Sequence, residues 1–107
     1  MGFEMRGEIV GALNTVDSIH AYNYRPATVL TGDAWLKWAG FTRVAPGEYE
    51  TAWQIIIAMP NNVKDQEAWI TSHLDEITDA VASEVWITSV VPGTSDDAPA
   101  LIIDCRE

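Results

Sequence analysis

Two hydrophobic patterns with different periods occupy the middle of the chain, from residue 49 to residue 91. In the first part apolar and polar positions alternate, which predicts a strand with one buried face. The alternating members of this face are Tyr49, Thr51, Trp53, Ile55 and Ile57. Residues 55–59 are apolar at every position, so we expect the strand to enter the middle of a sheet. Pro60 ends it, because proline has no N–H group to donate.

A helix and a second strand follow this first strand. Asn62, with Asp65 three residues later, is typical of a helix start. Apolar residues then recur at helical spacing, whereas charged residues occupy the other side of the predicted helix. The apolar series comprises Trp69, Ile70, Leu74, Ile77 and Val81. Residues 85–91 predict another strand, so the middle of the chain forms a strand–helix–strand unit.

The flanking segments complete a single domain, residues 1–107. An apolar stripe predicts a first helix over residues 4–18, weakened by Gly7 and Gly11. The other segments are predicted as a strand over 27–30, an edge piece over 35–38, a loop over 40–47, a turn over 92–97 and a closing strand over 99–105. The predicted fold class is α+β: a four- or five-stranded mixed or antiparallel sheet with two helices packed on one face.

Composition adds a strong negative charge. The 107 residues include 16 acidic and 6 basic side chains, which give a formal net charge of −10. That charge opposes binding to nucleic acid, which depends on basic surfaces, and binding to anionic lipid. Cys105 is the single cysteine, so no internal disulfide forms and a reducing compartment is expected. The sequence shows no secretory signal pattern and no apolar run long enough to cross a bilayer.

Candidate catalytic and metal-binding residues are few. His73 and Glu76 could share one helical turn, but a metal site needs more ligands, so a solvated helix face is the preferred interpretation. Asp96 and Asp97 lack the spacing of a calcium-binding loop and are predicted to form a polar turn. Cys105 is predicted to be a buried small side chain rather than a reactive thiol. We therefore predict no catalytic residues, no metal and no cofactor.

The chain has five tryptophans and three tyrosines, more large aromatic residues than one small core can absorb. Trp35 and Trp38 lie between two glycines, with Phe41 close behind. Aromatic residues are enriched at protein interfaces and in their hot spots. We therefore predict that these three residues contribute to an oligomer or partner interface, with a folded-back satellite cluster as the alternative. Pro99, which suits a strand start or an edge strand, is a further interface candidate.

Several segments of this chain follow one another in an order that is known from one protein family. They are the N-terminal amphipathic helix, residues 25–30 as a proline-led strand, residues 53–58 in the long strand, residues 66–77 in the helix, Trp86-Ile87, and residues 99–103 in the closing strand. In this order, over nearly its whole length, the chain resembles the tail terminator proteins of long-tailed bacteriophages, the minor tail protein U-like family. Arg25 departs from the pattern, because a second proline is frequent at that position.

The resemblance implies a structural virion protein, without catalytic activity, that forms a ring, usually a hexamer. Such a ring caps the tail tube, ends tube polymerisation and joins the tail to the head connector or neck protein. The implied location is the virion tail or neck, after assembly in the host cytoplasm. DNA would pass through the lumen without specific binding, since negative walls repel phosphates. Candidate lumen or surface acids are Glu48, Glu50, Glu67, Asp75, Glu76 and Asp79.

Two other functions stay open at this point. The protein could be a small acidic cytoplasmic adaptor or inhibitor that binds a basic partner protein, and it would then be a monomer or dimer. It could also be a small hydrolase or isomerase with a site built between subunits. That function predicts a pocket that holds His20 or His73 beside a carboxylate.

Overall fold

A computed structural model describes residues 4–107, apart from the side chains of Glu4 and Thr42. Two helices and five strands follow one another along the described chain. They are α1 (Glu4–Leu13), β1 (His20–Tyr22), β2 (Asp33–Ala45), β3 (Glu48–Ala58), α2 (Val63–Val81), β4 (Trp86–Ser95) and β5 (Ala98–Arg106). The strands form an open mixed sheet in the order β1-β2-β3-β5-β4, in which β1 is parallel to β2 and the other pairs are antiparallel. The predicted α+β class is confirmed.

The main core is built around β3, at the centre of the sheet. Its residues Trp53, Ile55 and Ile57 have no exposed surface and belong to one buried cluster. The same cluster includes Ile9 and Leu13 of α1, Ile77 and Val81 of α2, and Leu101, Ile103 and Cys105 of β5. Since alternate residues of a strand point to opposite sides, the sequence alternation correctly identifies the side of β3 on which this core forms.

α2 begins where the sequence predicts. Asn62 is its N-cap, and the Asn62 side chain accepts a hydrogen bond of 2.9 Å from the backbone N–H of Asp65. Ile77 and Val81 are fully buried, whereas Leu74 is half-buried at the margin of the same cluster. The predicted helix start and the predicted core-facing residues are confirmed.

A second, smaller cluster lies on the other side of β3. Ile56 and Trp35 pack there with Ala100 of β5, and Val29 from the preceding loop packs against them. Arg25 fixes this loop, because it lies over the Trp35 ring, at 5.7 Å from the ring centroid, and forms a 3.0 Å ion pair with the β4–β5 turn. The loop therefore covers part of this side of the sheet.

The predicted strand over residues 27–30 is wrong, because these residues form part of that irregular loop. The first strand is instead β1, which precedes that loop. The Asn14 side chain binds both the N–H and the C=O of Ala21, which holds β1 against the end of α1. Asp33 accepts a 2.9 Å hydrogen bond from the Leu30 N–H, so a tight turn separates the loop from β2.

The predicted edge piece over residues 35–38 and the predicted loop over residues 40–47 are both part of β2. This strand continues to Ala45 and returns through a short turn at Pro46 and Gly47. Gly40 has a φ of +110° at a β-bulge, so this glycine marks an irregularity inside the strand, not its end. The first helix is shorter than residues 4–18, because turns replace it after Leu13.

The β4–β5 hairpin is present but tighter than predicted. β4 includes Pro92, which an edge strand tolerates, and the turn is confined to Asp96 and Asp97, whose φ values are 50° and 66°. β5 lies between β3 and β4. The expectation that Pro99 belongs to an edge strand is therefore wrong, although it is the second residue of its strand.

Candidate assembly surfaces

The outer half of the β2–β3 hairpin, residues 38–50, extends past the rest of the sheet. We call it the arm. Pairing between β1 and β2 ends at Trp35, and pairing between β3 and β5 ends at Ala52. The arm strands pair with each other, and no third strand of the described chain pairs with them. The molecule is correspondingly long, with extents of 46 × 26 × 26 Å over the Cα atoms.

Large apolar side chains lie exposed along this arm. Trp38 and Phe41 make an edge-to-face contact with ring centroids 5.2 Å apart, and Phe41 contacts Tyr49 in the same way at 6.4 Å. Their exposed fractions are 40%, 56% and 62%, and Val44 near the tip is also exposed. A contiguous apolar patch on a protruding element is typical of a protein interaction surface.

The base of the arm is fixed by a buried arginine of α1. The Arg6 guanidinium lies 5.0 Å from the Trp53 ring and 4.4 Å from the Tyr24 ring, measured to the ring centroids. It donates hydrogen bonds to the carbonyl oxygens of Leu36, at 2.9 Å, and Asn23. Its Nε atom is buried and has no hydrogen-bond partner among the described residues. A rigid base lets the arm project as one body.

The arm carries charges of both signs. Arg43 near its tip is exposed, as is Lys37, one residue before the arm, and the described residues provide no ion pair for either. Glu48 is exposed at the start of β3. Glu50 is half-buried and forms a 3.3 Å ion pair with Arg106 of β5. Of these two predicted surface acids, Glu48 is therefore solvated, whereas Glu50 is bound in an ion pair.

An open groove of about 580 Å³ lies where α2 ends and β4 begins. We call it the α2–β4 groove. Its apolar lining is Val85, Trp86 and Ile87. Its charged lining has three carboxylates, of Asp79, Glu84 and Glu107, and one cation, Arg106, which is paired with Glu50. Trp86 is 72% exposed. Apolar residues beside three carboxylates favour a ligand that combines aromatic and cationic groups.

The other predicted site residues lie apart from each other. Trp35 is buried in the second cluster, on the opposite side of β2 from Trp38. Pro99 is half-buried near the β4–β5 turn. The predicted acids of α2 are all exposed, and one of them, Asp79, lines the groove; the set is Glu67, Asp75, Glu76 and Asp79. Of the predicted interface residues, the structure therefore brings together Trp38 and Phe41.

Chemically reactive residues are dispersed as well. His73 stacks on Trp69 with ring centroids 4.7 Å apart, and its Nδ1 lies 2.8 Å from the Trp69 carbonyl oxygen. His20 is exposed on β1. Burial raises the pKa of the Cys105 thiol to about 12, and the nearby carboxylate of Asp104 adds to the shift. No group of three metal-ligating side chains occurs within residues 4–107 as described.

Sequence reasoning missed Tyr49, Trp86 and Arg6. Tyr49 follows the same alternation as the buried Trp53, and the sequence does not reveal that β5 ends before it. Trp86 lies at the start of an edge strand, which explains its exposure. Arg6 lies beside the apolar stripe of the first predicted helix. No pattern in the neighbouring sequence indicates that its charged group is buried.

Within the described residues, neither helix combines the length and the apolar character needed to cross a membrane. Comparisons with known proteins find no protein family that matches this chain and no curated protein sequence that matches it.

Proposed function

We propose that this protein is a ring-forming structural component of a phage virion, of the tail terminator type. In this role it caps the tail tube, ends tube polymerisation and joins the tail to a head connector or neck protein. The observation that carries the proposal is the arm, with its exposed row of Trp38, Phe41 and Tyr49. The proposed location is the tail or neck of the virion, after assembly in the host cytoplasm.

The arm supports assembly because it has little to contribute to the fold of a single subunit. A two-stranded ribbon is marginal in water unless another surface covers it. Its aromatic side chains supply a large contact area at low entropic cost, as interface hot spots do. The proposal includes a sheet of four or five strands with both helices on one face. The other face is then partly open to neighbouring proteins.

The negative charge supports a conduit for DNA. Six subunits of −10 each would give a ring with a formal charge of roughly −60. DNA phosphates would be repelled from its wall and would not adhere during passage. The exposed acids Glu48, Glu67, Asp75, Glu76 and Asp79 are candidates for that wall. The proposed role needs no catalysis, cofactor, metal or membrane contact.

The test is the size and shape of the purified protein, alone and with tail tubes. Multi-angle light scattering is expected to give a single species of several subunits, about six, and negative-stain microscopy is expected to show rings. Added tail tubes should carry one ring at one end and stop elongating. A protein that remains monomeric at high salt and in the presence of tubes would contradict the proposal.

The alternative is a small acidic adaptor or inhibitor that binds a basic partner protein. The exposed acids of α2, together with the acidic lining of the groove, favour this function. An adaptor of this kind is expected to be a monomer or dimer by light scattering, with the basic partner in a fixed ratio. Stoichiometry therefore separates the two functions directly.

A further inference from the structure

We propose that the arm of one subunit docks in the α2–β4 groove of a second copy of the same chain. This contact rests on the proposed ring-forming function and identifies the two surfaces through which the ring closes. It is a head-to-tail contact, since the arm and the groove are two different surfaces of the same chain. Contacts of that type close into rings when the rotation between subunits is suitable.

The chemistry of the two surfaces is complementary. The arm offers exposed aromatic rings together with the cation Arg43, which is paired with Tyr49 in the β2–β3 register and so lies on the same side of the arm. The groove offers the exposed Trp86 ring beside the carboxylates of Glu84 and Glu107. Aromatic contact would supply the buried area, and the charge pairs would fix the orientation of the arm.

The same conclusion follows from where positive charge is available. Arg25 and Arg106 are paired with Asp96 and Glu50, and Arg6 is buried. Among the described residues, the exposed cations without an ion pair are Lys37, Arg43 and Lys64. Arg43 is the one of these three that lies on the arm. It is therefore the cation through which the arm can approach the carboxylates of the groove.

The sheet register places the two surfaces at matching heights. Trp38 pairs with Trp53, Trp53 with Cys105, and Cys105 with Ile87, so Trp38 is level with the start of β4. The rest of the arm extends beyond this level, where residues 82–85 line the groove. β2 and β4 lie on opposite sides of β3 in the sheet. A rotation about an axis along the strands would therefore bring arm and groove together without sliding them along the strands.

A contact between two arms is the main competing arrangement. It would be self-complementary and would give a dimer rather than a ring. Docking in the groove places Arg43 near the carboxylates of Asp79, Glu84 and Glu107, a contact that an arm-to-arm arrangement does not supply.

Cross-linking between single introduced cysteines distinguishes these arrangements. Val44→Cys places a thiol near the arm tip, and Ser83→Cys places one in the groove lining, while the natural Cys105 is buried. The two variants, carrying different affinity tags, are mixed and oxidised, and the products are separated on a non-reducing gel. We expect a mixed disulfide that contains one chain of each variant. Each variant alone, and the unmodified protein, should give no comparable product.

Charge reversal provides a matched control. Arg43→Glu and Lys64→Glu each change the formal net charge from −10 to −12, because 5 basic and 17 acidic residues then remain. Arg43 is on the arm, whereas Lys64 is in the first turn of α2, the opposite end of that helix from the groove. Combined with Val44→Cys, Arg43→Glu should lower the yield of mixed disulfide at least about fivefold. Lys64→Glu should leave the yield unchanged.

The possible results separate this inference from the proposed function. Strong cross-linking of Val44→Cys with itself would overturn groove docking in favour of an arm-to-arm contact. Rings seen by light scattering and microscopy, without a mixed disulfide, would overturn groove docking and leave the ring in place. Equal effects of Arg43→Glu and Lys64→Glu would also overturn it, because overall charge would then explain both. A monomer under all conditions would refute both proposals.

Discussion

The two halves of the β2–β3 hairpin share the same strands and the same antiparallel pairing, yet their surroundings are opposite. In the inner half, Trp53 and Ile55 of β3 have no exposed surface. In the outer half, Tyr49 on the same side of β3 is 62% exposed. β1 and β5 flank the inner half, and the described part of the chain places neither beside the arm. The periodic pattern of a strand thus defines a side, whereas the neighbours of the strand decide whether that side is buried.

This contrast indicates that the inner half stabilises the subunit and that the outer half is available for contacts with other molecules. Arg6 and the bulge at Gly40 lie close to the boundary between them. A buried cation held by backbone carbonyls and aromatic rings fixes the strand there, and a bulge changes its direction. Substitutions in the two halves should therefore affect different measurable properties.

The largest expected effect is on the stability of the inner half. Ile55→Ala removes three carbon atoms from a fully buried position, so it should lower the free energy of unfolding by about 3 kcal/mol. Val44→Ala, at an exposed position of the arm, should change it by less than about 0.5 kcal/mol. Urea denaturation followed by tryptophan fluorescence measures both. Equal losses for the two variants would contradict the division of the hairpin.

The next effect concerns assembly and not stability. Phe41→Ser combined with Tyr49→Ser removes two exposed aromatic side chains from the arm. The double variant should therefore no longer form the proposed oligomeric ring, as measured by light scattering. The subunit should remain folded, with a free energy of unfolding within about 1 kcal/mol of the parent monomer. As a control, His20→Ser changes an exposed ring on β1 and should leave assembly intact. Rings formed by the double variant would show that the arm is not required.

The sequence predicted the inner half well because the signals there are local. Asn62 caps its helix through a neighbouring N–H group, and Ile77 faces the core at helical spacing. The alternation around Trp53 likewise identified the buried side of β3. These features depend on residues only a few positions apart, and single-sequence patterns contain such information.

The arm could not be predicted in the same way, because it depends on where other strands end. Tyr49 is exposed since β3 pairs with β5 only as far as Arg106, which lies opposite Ala52. Gly40 resembles a loop residue, yet its positive φ is used in a bulge. Trp35 and Trp38 were grouped by proximity, but a spacing of three places strand residues on opposite sides. The spacing between Trp35 and Trp38 therefore indicated that only one of these two tryptophans would lie on the same side of β2 as Phe41.

A smaller effect is expected at the boundary bulge. The Cβ atom of Gly40→Ala would meet no atom within 4 Å, so its cost is that of a φ of +110° for alanine, about 1–2 kcal/mol. Gly7→Ala also meets no atom, but Gly7 is in α1, where alanine should stabilise the protein by up to about 1 kcal/mol. Thermal unfolding should therefore show shifts of opposite sign. Shifts of the same sign would mean that the bulge geometry is not maintained.

The smallest expected effect is the response of Cys105 to pH. Burial, assisted by the charge of Asp104, raises the pKa of this thiol from 9.0 to about 12 in the folded chain. The unfolded chain therefore loses the thiol proton first, so folding stability is complete below pH 9 and is lost as the pH rises toward 12. At about pH 9.5 the loss should be just under 1 kcal/mol, and Cys105→Ala should abolish it. The readout is the difference in the free energy of unfolding between pH 7 and pH 9.5, compared between parent and variant.

Val44→Cys in the Cys105→Ala background places the only thiol on the exposed arm, where this pH-dependent loss should not return. If the arm thiol restored the loss, or the parent showed none, the contrast between a buried inner half and a solvated arm would not hold at these positions.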